Sequence, residues 1–558
     1  MISARHKRWL IPAAIVLLAL ALRLPGLSQP YHQDEYKWAL IVAKGSALAG
    51  SIPHPPLSEL VFTATDRIFG NTHLRMLPFL LSFANLLLLA LIMRRRYGRR
   101  AAVIASVLYA VSFYSVLASL MVDNDGQTLP LLFLAGVYCY DRLCDAVKRP
   151  ERIRWAACFA VVCVAGFLTK LSFVIPAGAF AIDALIRFRH RVDWRLVLRV
   201  GVAAAGCVAV LAILLWNAHY LFSSFDIRTP ASYMLRFFDL RHRQWLQVLI
   251  QFFKSVMYLS PLLLAPLFLM DKRLVAQMRL FIIFAMLAVL FYFVLFDFSG
   301  GALDRYCQVF IVPLVAIAGV VYAGFMDEAK LTRRGKLFVA AGIAVALTLV
   351  QLLPHVIPAL HPKTEWASRM LSLQWNFLFP FSGGSGPLGF YVSFLFIGTA
   401  FVVSAVSVAL IRTSRTSIRT FAVLVIGAVG LAYNAAFVEE YLFGMINGYA
   451  PSVLRQSIAY LAKHPEIDKV ITFNDTGAYE LLQMGKYQRR LYIDPLFDAG
   501  NIKKLNENKG YYLIVGIPRI DPQSEYAAYF SSCQPVFQTV SGQINGTIVD
   551  CRNAKDIR

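Results

Sequence analysis

The stretch NLLLLALIMRRRYGRRAAVIASVLYAV, Asn85 to Val111, decides the architecture. Two apolar runs flank Arg94-Arg-Arg-Tyr-Gly-Arg-Arg100, which packs five arginines into seven residues. A helix needs about 20 apolar residues to cross a hydrocarbon core, and the longer runs around this segment, 76–93 and 101–118, approach that length. Arginines crowded between two spans mark a cytoplasmic turn, because basic loops stay on the inner side of a membrane.

The same alternation extends outward in both directions. Apolar runs recur at 9–24, 127–140, 155–168, 171–186, 200–218, 247–270, 280–297, 307–325, 337–354, 388–411 and 420–438, about thirteen with the first two. Every second connection is basic: Arg142 to Arg154, Arg187 to Arg199, Lys272 to Arg279, Lys330 to Lys336 and Arg412 to Arg419. Arg5, Lys7 and Arg8 precede the first run, which lacks a small-x-small cleavage site and reads as a retained anchor. The expectation is a polytopic α-helical membrane protein, N-in and C-out.

Composition agrees. The 558 residues are 58% hydrophobic and 16% charged, with mean hydropathy +0.59. A soluble chain carries roughly 45–50% apolar and about 25% charged residues, so disorder, a disulfide scaffold and an ordinary soluble enzyme are excluded. The net charge of +23 reports basic inner loops and anionic lipid rather than nucleic acid. Past residue 438 the pattern changes to strand–helix alternation. Strands are expected at Lys469–Phe473, Arg490–Ile493 and Tyr511–Val515, with helices near 476–485 and 498–508. The division is therefore a membrane domain, 1–438, and a small extracytoplasmic α/β domain, 439–558.

Of eight cysteines, Cys139, Cys144, Cys158, Cys163, Cys207 and Cys307 read as buried thiols without zinc-type spacing. Cys533 and Cys551 are the pair in the outer domain. An oxidising compartment and a hairpin turning at Ser541-Gly542 point to a disulfide.

The outer connections carry unusual ionisable groups. Tyr31-His-Gln-Asp-Glu-Tyr36 and His54-Pro-Pro-Leu57 lie in a long outer loop whose amphipathic stretches read as interfacial helices within 34–69. Asp34 and Glu35 are either helix-start acids or a general base with its support. Asp123-Asn-Asp125 occupies a short outer turn. It has three readings: orienting an acceptor, binding a metal through oxygen, or capping a helix. Lys170, in Leu168-Thr-Lys-Leu171, and Arg305, in Asp304-Arg-Tyr306, sit beside spans, where a cation is a functional signal unless it snorkels to the interface. Arg228, Arg236, Arg241 and Arg243 lie on the wrong side for the charge rule. Lipid headgroups explain any one of them; a bound phosphate explains them with Lys170 and Arg305 together.

These elements, in order, resemble the GT-C glycosyltransferase superfamily, nearest the protein O-mannosyltransferases, the aminoarabinose transferases acting on lipid A and related bacterial polyprenyl-phosphate-sugar transferases. The matching elements are Asp34-Glu35 after the first span; His54-Pro-Pro-Leu57; Phe69-Gly70 with Arg75 and Pro78; Leu168-Thr-Lys170; and Arg305-Tyr306 with Pro313. The resemblance implies a GT-C fold and transfer of one sugar, with inversion, from a polyprenyl-phosphate donor. The acceptor is a hydroxyl or phosphate at the outer face of a bacterial inner membrane, on lipopolysaccharide, lipid A or another envelope glycan, with the site facing the periplasm. It implies Asp34 as base with Glu35 in support, Lys170, Arg305 and Arg75 around the donor phosphate, and His54 and Tyr306 around substrate. Read from the residues themselves, Arg228 joins the phosphate set, and Asp123 and Asp125 join the substrate set. Membrane lipids are the remaining partners. No cofactor is certain; His32 and His54 near the two acids leave a divalent metal open. A protein O-mannosyltransferase-like activity, a lipid-linked-sugar flippase and a non-catalytic scaffold are the alternatives.

Overall fold

The computed structural model describes residues 4–32, 34–44, 54–189, 202, 206, 209–217, 228, 243, 245–295, 304–325, 333–359, 363–381, 388–413, 416–491 and 504–556. Among them, eight helical segments are long and apolar enough to cross a membrane, and Arg279–Leu295 and Leu337–Gln351 are shorter apolar helices. Of the run expected at 200–218, residues 202, 206 and 209–217 are described and are helical; the others lie outside the described residues.

In chain order the membrane part comprises α1 (Ala4–Ala21), α2 (Asp34–Lys44), α3 (Pro56–Phe69), α4 (Met76–Val111), α5 (Phe113–Ser119), α6 (Thr128–Asp145), α7 (Arg149–Thr169) and α8 (Val174–Phe188). It continues through α9 (Trp245–Leu264), α10 (Arg279–Val289), α11 (Ile311–Phe325), α12 (Arg333–Gln351), α13 (Phe394–Thr413) and α14 (Thr416–Leu442). α4 is two spans in one. Gly98, at φ 89° and ψ 176°, breaks the helix inside the arginine segment, a backbone state that glycine reaches without strain. The second leg then packs against α11 so closely that a Cβ on Gly319 would lie 2.7 Å from that of Ala105. Small residues permit such approach between spans, where no hydrophobic drive separates helix from lipid.

The two ends of the bundle are chemically distinct. At one end Arg95 pairs with Asp145 at 2.7 Å, Arg96 grips Asp141, and Arg279 meets Asp183 at 2.7 Å. Tyr97 donates to the Gln277 carbonyl there at 3.1 Å. These residues come from basic connections the sequence assigns to one side. The other end gathers α2, α3, the Asp123–Asp125 turn, Lys170, Arg305 and the C-terminal domain.

Two sequence expectations are corrected. The run at 388–411 is not one helix: Leu378–Phe381 (β1) and Phe390–Ser393 (β2) form an antiparallel hairpin, and the helix starts at Phe394. Phe381 and Phe390 of that hairpin pack on Phe437 of α14 at 4.8 and 6.2 Å between ring centres, so the pair reads in sequence as more apolar span. The last span also continues to Leu442, four residues beyond the expected boundary at 438.

Beyond it, α15 (Ala450–Lys463), β3 (Val470–Phe473), α16 (Ala478–Gln483), β4 (Tyr487–Leu491), β5 (Tyr511–Val515), α17 (Glu525–Ser531), β6 (Gln534–Ser541) and β7 (Ile544–Asp550) build the α/β domain. The strand order is β4-β3-β5-β7-β6, parallel between β3 and its neighbours and antiparallel thereafter. β4 begins three residues before the expected Arg490, because Gln488, Arg489 and Arg490 disguise a sheet-edge strand. The helix expected at 498–508 lies largely outside the described residues; 504–507 are helical. Cys533 and Cys551 are joined by a disulfide at the base of the β6–β7 hairpin, with Cα atoms 4.6 Å apart.

This domain docks on the connection that carries α2 and α3. Tyr479 donates to the Asn71 amide oxygen at 2.7 Å and meets the Tyr31 ring edge-on at 5.0 Å. Tyr36 of α2 hydrogen-bonds Tyr487, which donates to Asp475. Gly448, at φ 115°, lets the hairpin turn seat on the α14–α15 connection; a Cβ there would collide with the Ser541 carbonyl at 2.0 Å.

Candidate active site

Three connections converge beside α2. Asp34 begins that helix, where the positive end of the dipole favours a carboxylate. Arg305 lies in the 3-10 turn Asp304–Phe310 that leads into α11. Lys170 is the extended residue joining α7 to α8, at φ −159° and ψ 136°. The intervening Asp123–Asp125 turn is buried throughout, an uncommon place for two acids.

Arg305 binds Asp34 at 2.7 Å and reaches Asp123 at 3.2 Å. Lys170 pairs with Asp125, and Lys37, one turn along α2, pairs with Asp34 at 2.8 Å. Both inner cations rest against the Tyr306 ring, Lys170 Nζ at 4.4 Å and the Arg305 guanidinium carbon at 4.9 Å from its centre. Stacking of this kind holds two like charges together by the ring's negative face. Tyr292 stacks behind Tyr306 at 5.5 Å.

The titration behaviour follows from these contacts. Burial works to raise the Asp34 carboxyl, but Arg305 and Lys37 outweigh it and hold the group well below the usual carboxylate range. Asp125 is pushed up to about 6 by burial, with the Asp123 charge adding to the effect against Lys170. Asp123 moves down, Arg305 and Lys170 overcoming its burial. His54 stacks on Trp38 with ring centres 5.6 Å apart; burial, then Lys170, lowers its imidazole to about 3, so it is neutral at physiological pH.

Glu35 and Arg75 pair with each other. Arg75 donates to Glu35 through Nε at 3.0 Å and Nη2 at 2.7 Å, and the two side chains are only 1% and 2% exposed. Arg75 also donates to the backbone carbonyls of Gln29 and Pro30. Glu35 accepts the Val122 amide at 3.1 Å and the His32 amide at 3.2 Å. The pair thus ties the residues around 29–35 to Arg75 and, through the Val122 amide, to the turn that carries Asp123. The hydrogen bonds of this pair go to each other and to backbone rather than to Lys170 or Arg305, which gives Glu35 and Arg75 a structural part whatever their part in catalysis or phosphate binding.

Arg228 is exposed, and residues 218–227 and 229–242 lie outside the described part, with Arg236 and Arg241 among them. Arg243 is buried, and its guanidinium donates to the carbonyls of Val294 and Leu295, capping a backbone end. Among the described residues no three His, Cys, Asp or Glu side chains converge as a metal-binding group; the carboxylates hold Arg305, Lys37 and Lys170 instead. A cavity of about 650 Å³ lined by Tyr140, Cys163 and Phe180 sits between α6, α7 and α8, away from this cluster.

Sequence reasoning passed over several contributors. Ser58 donates to the Thr169 carbonyl at 2.7 Å and accepts from Asn124 at 2.9 Å, locking α3, the acid turn and the Lys170 connection together. Gln308 fits against Gly126, whose missing Cβ would lie 2.4 Å from its Oε1. Lys37 was visible as the i+3 partner of Asp34; a lone serine or glutamine carries no comparable signal.

A family model described as dolichyl-phosphate-mannose-protein mannosyltransferase matches residues 53–216. The solved structure of ArnT from Cupriavidus metallidurans bound to undecaprenyl phosphate matches with TM-score 0.54 and 17% identity over 98% of each chain. The apo form of that protein matches with TM-score 0.50, 17% identity and the same coverage. No curated protein gives a significant match.

Proposed function

We propose that this chain, a multi-pass membrane protein with the GT-C glycosyltransferase fold, moves a single sugar from a polyprenyl-phosphate donor to an acceptor hydroxyl or phosphate on the outer face of a bacterial inner membrane. One observation carries the reading. Lys170 and Arg305, from connections far apart in sequence, meet on one Tyr306 ring beside an ionised Asp34. Two clustered cations suit a phosphate, Arg through its planar fork and Lys as a point charge. The undecaprenyl phosphate in the ArnT structure supports that choice of ligand.

The chemistry is one displacement. Asp34 takes the proton of the acceptor O–H as that oxygen bonds to the anomeric carbon from the face opposite the phosphate. The bond from that carbon to the phosphate oxygen breaks, its electron pair leaving on the phosphate. Lys170 and Arg305 stabilise the charge that develops there, and a preorganised donor at a leaving oxygen is commonly worth more than any other single contribution. Inversion follows from the single attack. His54, neutral and stacked on Trp38, is a hydrogen-bonding group for the substrate at the rim of the site.

Sidedness has two supports. The basic connections gather at the far end of the bundle, which the charge rule makes cytoplasmic. The disulfide-bonded domain docks at the Asp34 end, and disulfides persist in oxidising compartments. A protein O-mannosyltransferase-like acceptor is the second reading, favoured by the family match over 53–216 and by His54 in the Pro-Pro motif. The test supplies purified protein with radiolabelled polyprenyl-phosphate sugars and, separately, lipid A, envelope glycan and peptide acceptors. Label appearing in one acceptor fraction, with the opposite anomeric configuration, supports the proposal; donor that stays intact with every acceptor opposes it.

A further inference from the structure

The cluster is electrically closed on itself: Asp34, Asp123 and Asp125 face Lys37, Lys170 and Arg305. Arg305 Nε, Asp123 Oδ2 and Asp125 Oδ1 are nonetheless buried without a hydrogen bond, whereas Arg305 Nη1 is held by Asp34 at 2.7 Å, so a phosphate that takes Nη1 exchanges places with that carboxylate. The pairs are not equally exchangeable. Lys170 and Asp125 are 9% and 0% exposed, leaving the acid nowhere to go if displaced. Asp123 is buried and held by the Asn124 amide at 2.6 Å. Asp34 alone of the three acids reaches solvent, 26% exposed, and it has a second partner, Lys37, on its outer side.

We propose that the Asp34–Arg305 pair is a latch which the donor phosphate opens, replacing the Asp34 carboxylate on Arg305 and releasing Asp34 toward Lys37 and the acceptor. This rests on the reading of Lys170 and Arg305 as the phosphate site and adds an order to it. Arg305 keeps its charge contact with Asp123, Nε lying 3.2 Å from Oδ2 without a hydrogen bond, and its Nη2 bond to the Tyr306 hydroxyl at 3.2 Å while Nη1 changes partner. Until donor is bound, Arg305 holds Asp34 as a poor base. Once phosphate neutralises Arg305, the largest charge that lowers Asp34 is offset and only Lys37 still holds it, so the carboxylate becomes a stronger base toward the acceptor proton. The donor therefore binds first, and an acceptor or water arriving alone meets an unarmed base.

The experiment uses the full chain in detergent micelles, with undecaprenyl phosphate as the probe and no sugar present. Arg305→Gln is expected to weaken binding by about tenfold or more, the loss of one charge-assisted contact. Asp34→Asn, which removes the rival anion, is expected to tighten binding roughly three- to tenfold. Combined with Arg305→Gln, Asp34→Asn should give no gain, because the rivalry needs the arginine. Unchanged or weaker binding by Asp34→Asn overturns the latch, and so does a gain that survives Arg305→Gln, which would be simple through-space repulsion. If Arg305→Gln and Lys170→Gln both bind like the parent protein, the phosphate reading itself fails, a separate outcome. Should Arg305→Gln not fold, infrared difference spectra of the parent protein decide: adding the lipid shifts one carboxylate band that Asp34→Asn lacks. No such shift overturns the proposal.

Discussion

Replacing Arg75 by methionine separates a structural arginine from a ligand-binding one. In the folded protein Glu35 receives two bonds from Arg75 and two from backbone amides, with both side chains almost wholly buried. Arg75→Met leaves a buried carboxylate without its cation and strips the Gln29 and Pro30 carbonyls of a donor. Breaking a buried pair from one side typically costs about 3–5 kcal/mol, more than the pair is worth against two neutral groups of similar size. For a chain of 558 residues, thermal unfolding in detergent should fall by about 3–4 °C. The double variant Glu35→Gln with Arg75→Met should recover a substantial part, since no unpaired charge remains, and the cycle isolates the coupling. The folded fraction of Arg75→Met should bind undecaprenyl phosphate like the parent protein. An unchanged melting temperature together with binding weakened about tenfold would refute the structural assignment and put Arg75 in the phosphate site.

Three more outcomes follow from the same geometry. Burial, with the Asp123 charge adding to it, pushes the folded Asp125 carboxyl up from the usual value near 4 to about 6, against Lys170 and Arg305 and beside Tyr292. Between those values the folded state holds a proton that the unfolded chain has lost, so its stability relative to Asp125→Asn should decline as pH rises from about 4 to 6; a flat difference in melting temperature contradicts this. Replacing both Cys533 and Cys551 by serine opens a loop of 18 residues and should destabilise the C-terminal domain by roughly 3 kcal/mol, read by protease susceptibility, with non-reducing peptide maps of the parent showing the linked pair. Impermeant thiol labelling of single cysteines placed at Tyr97 and Lys509 should report opposite sides of the membrane; the same side at both removes the topology.

What the sequence could convey tracked the kind of physics involved. Spans and basic turns are written in composition, and Arg94–Arg100 announced a hairpin that Gly98 then makes. The hairpin Leu378–Phe381 with Phe390–Ser393 was hidden because its strands are as apolar as the helix they precede. Asp34, Lys170 and Arg305 stood out as charges beside spans, where charge is costly and therefore informative. Their mutual pairing was not legible, since it depends on α3 and the acid turn being tied by Ser58 and Asn124, polar residues with many uses. Glu35 and Asp34 are adjacent and alike in sequence, yet a helix turns neighbours about 100° apart. One therefore enters the protein toward Arg75 while the other meets Arg305.

Sugar transfer by Asp34→Asn, beside the parent protein and with the donor and acceptor that support turnover, tests the central claim most directly. The amide keeps the side chain's shape and cannot take a proton. The account predicts that the variant still binds undecaprenyl phosphate while its transfer rate falls by roughly 10²–10⁴-fold. Transfer at close to the parent rate would contradict it, removing Asp34 as the base and with it the reason for the cluster's arrangement.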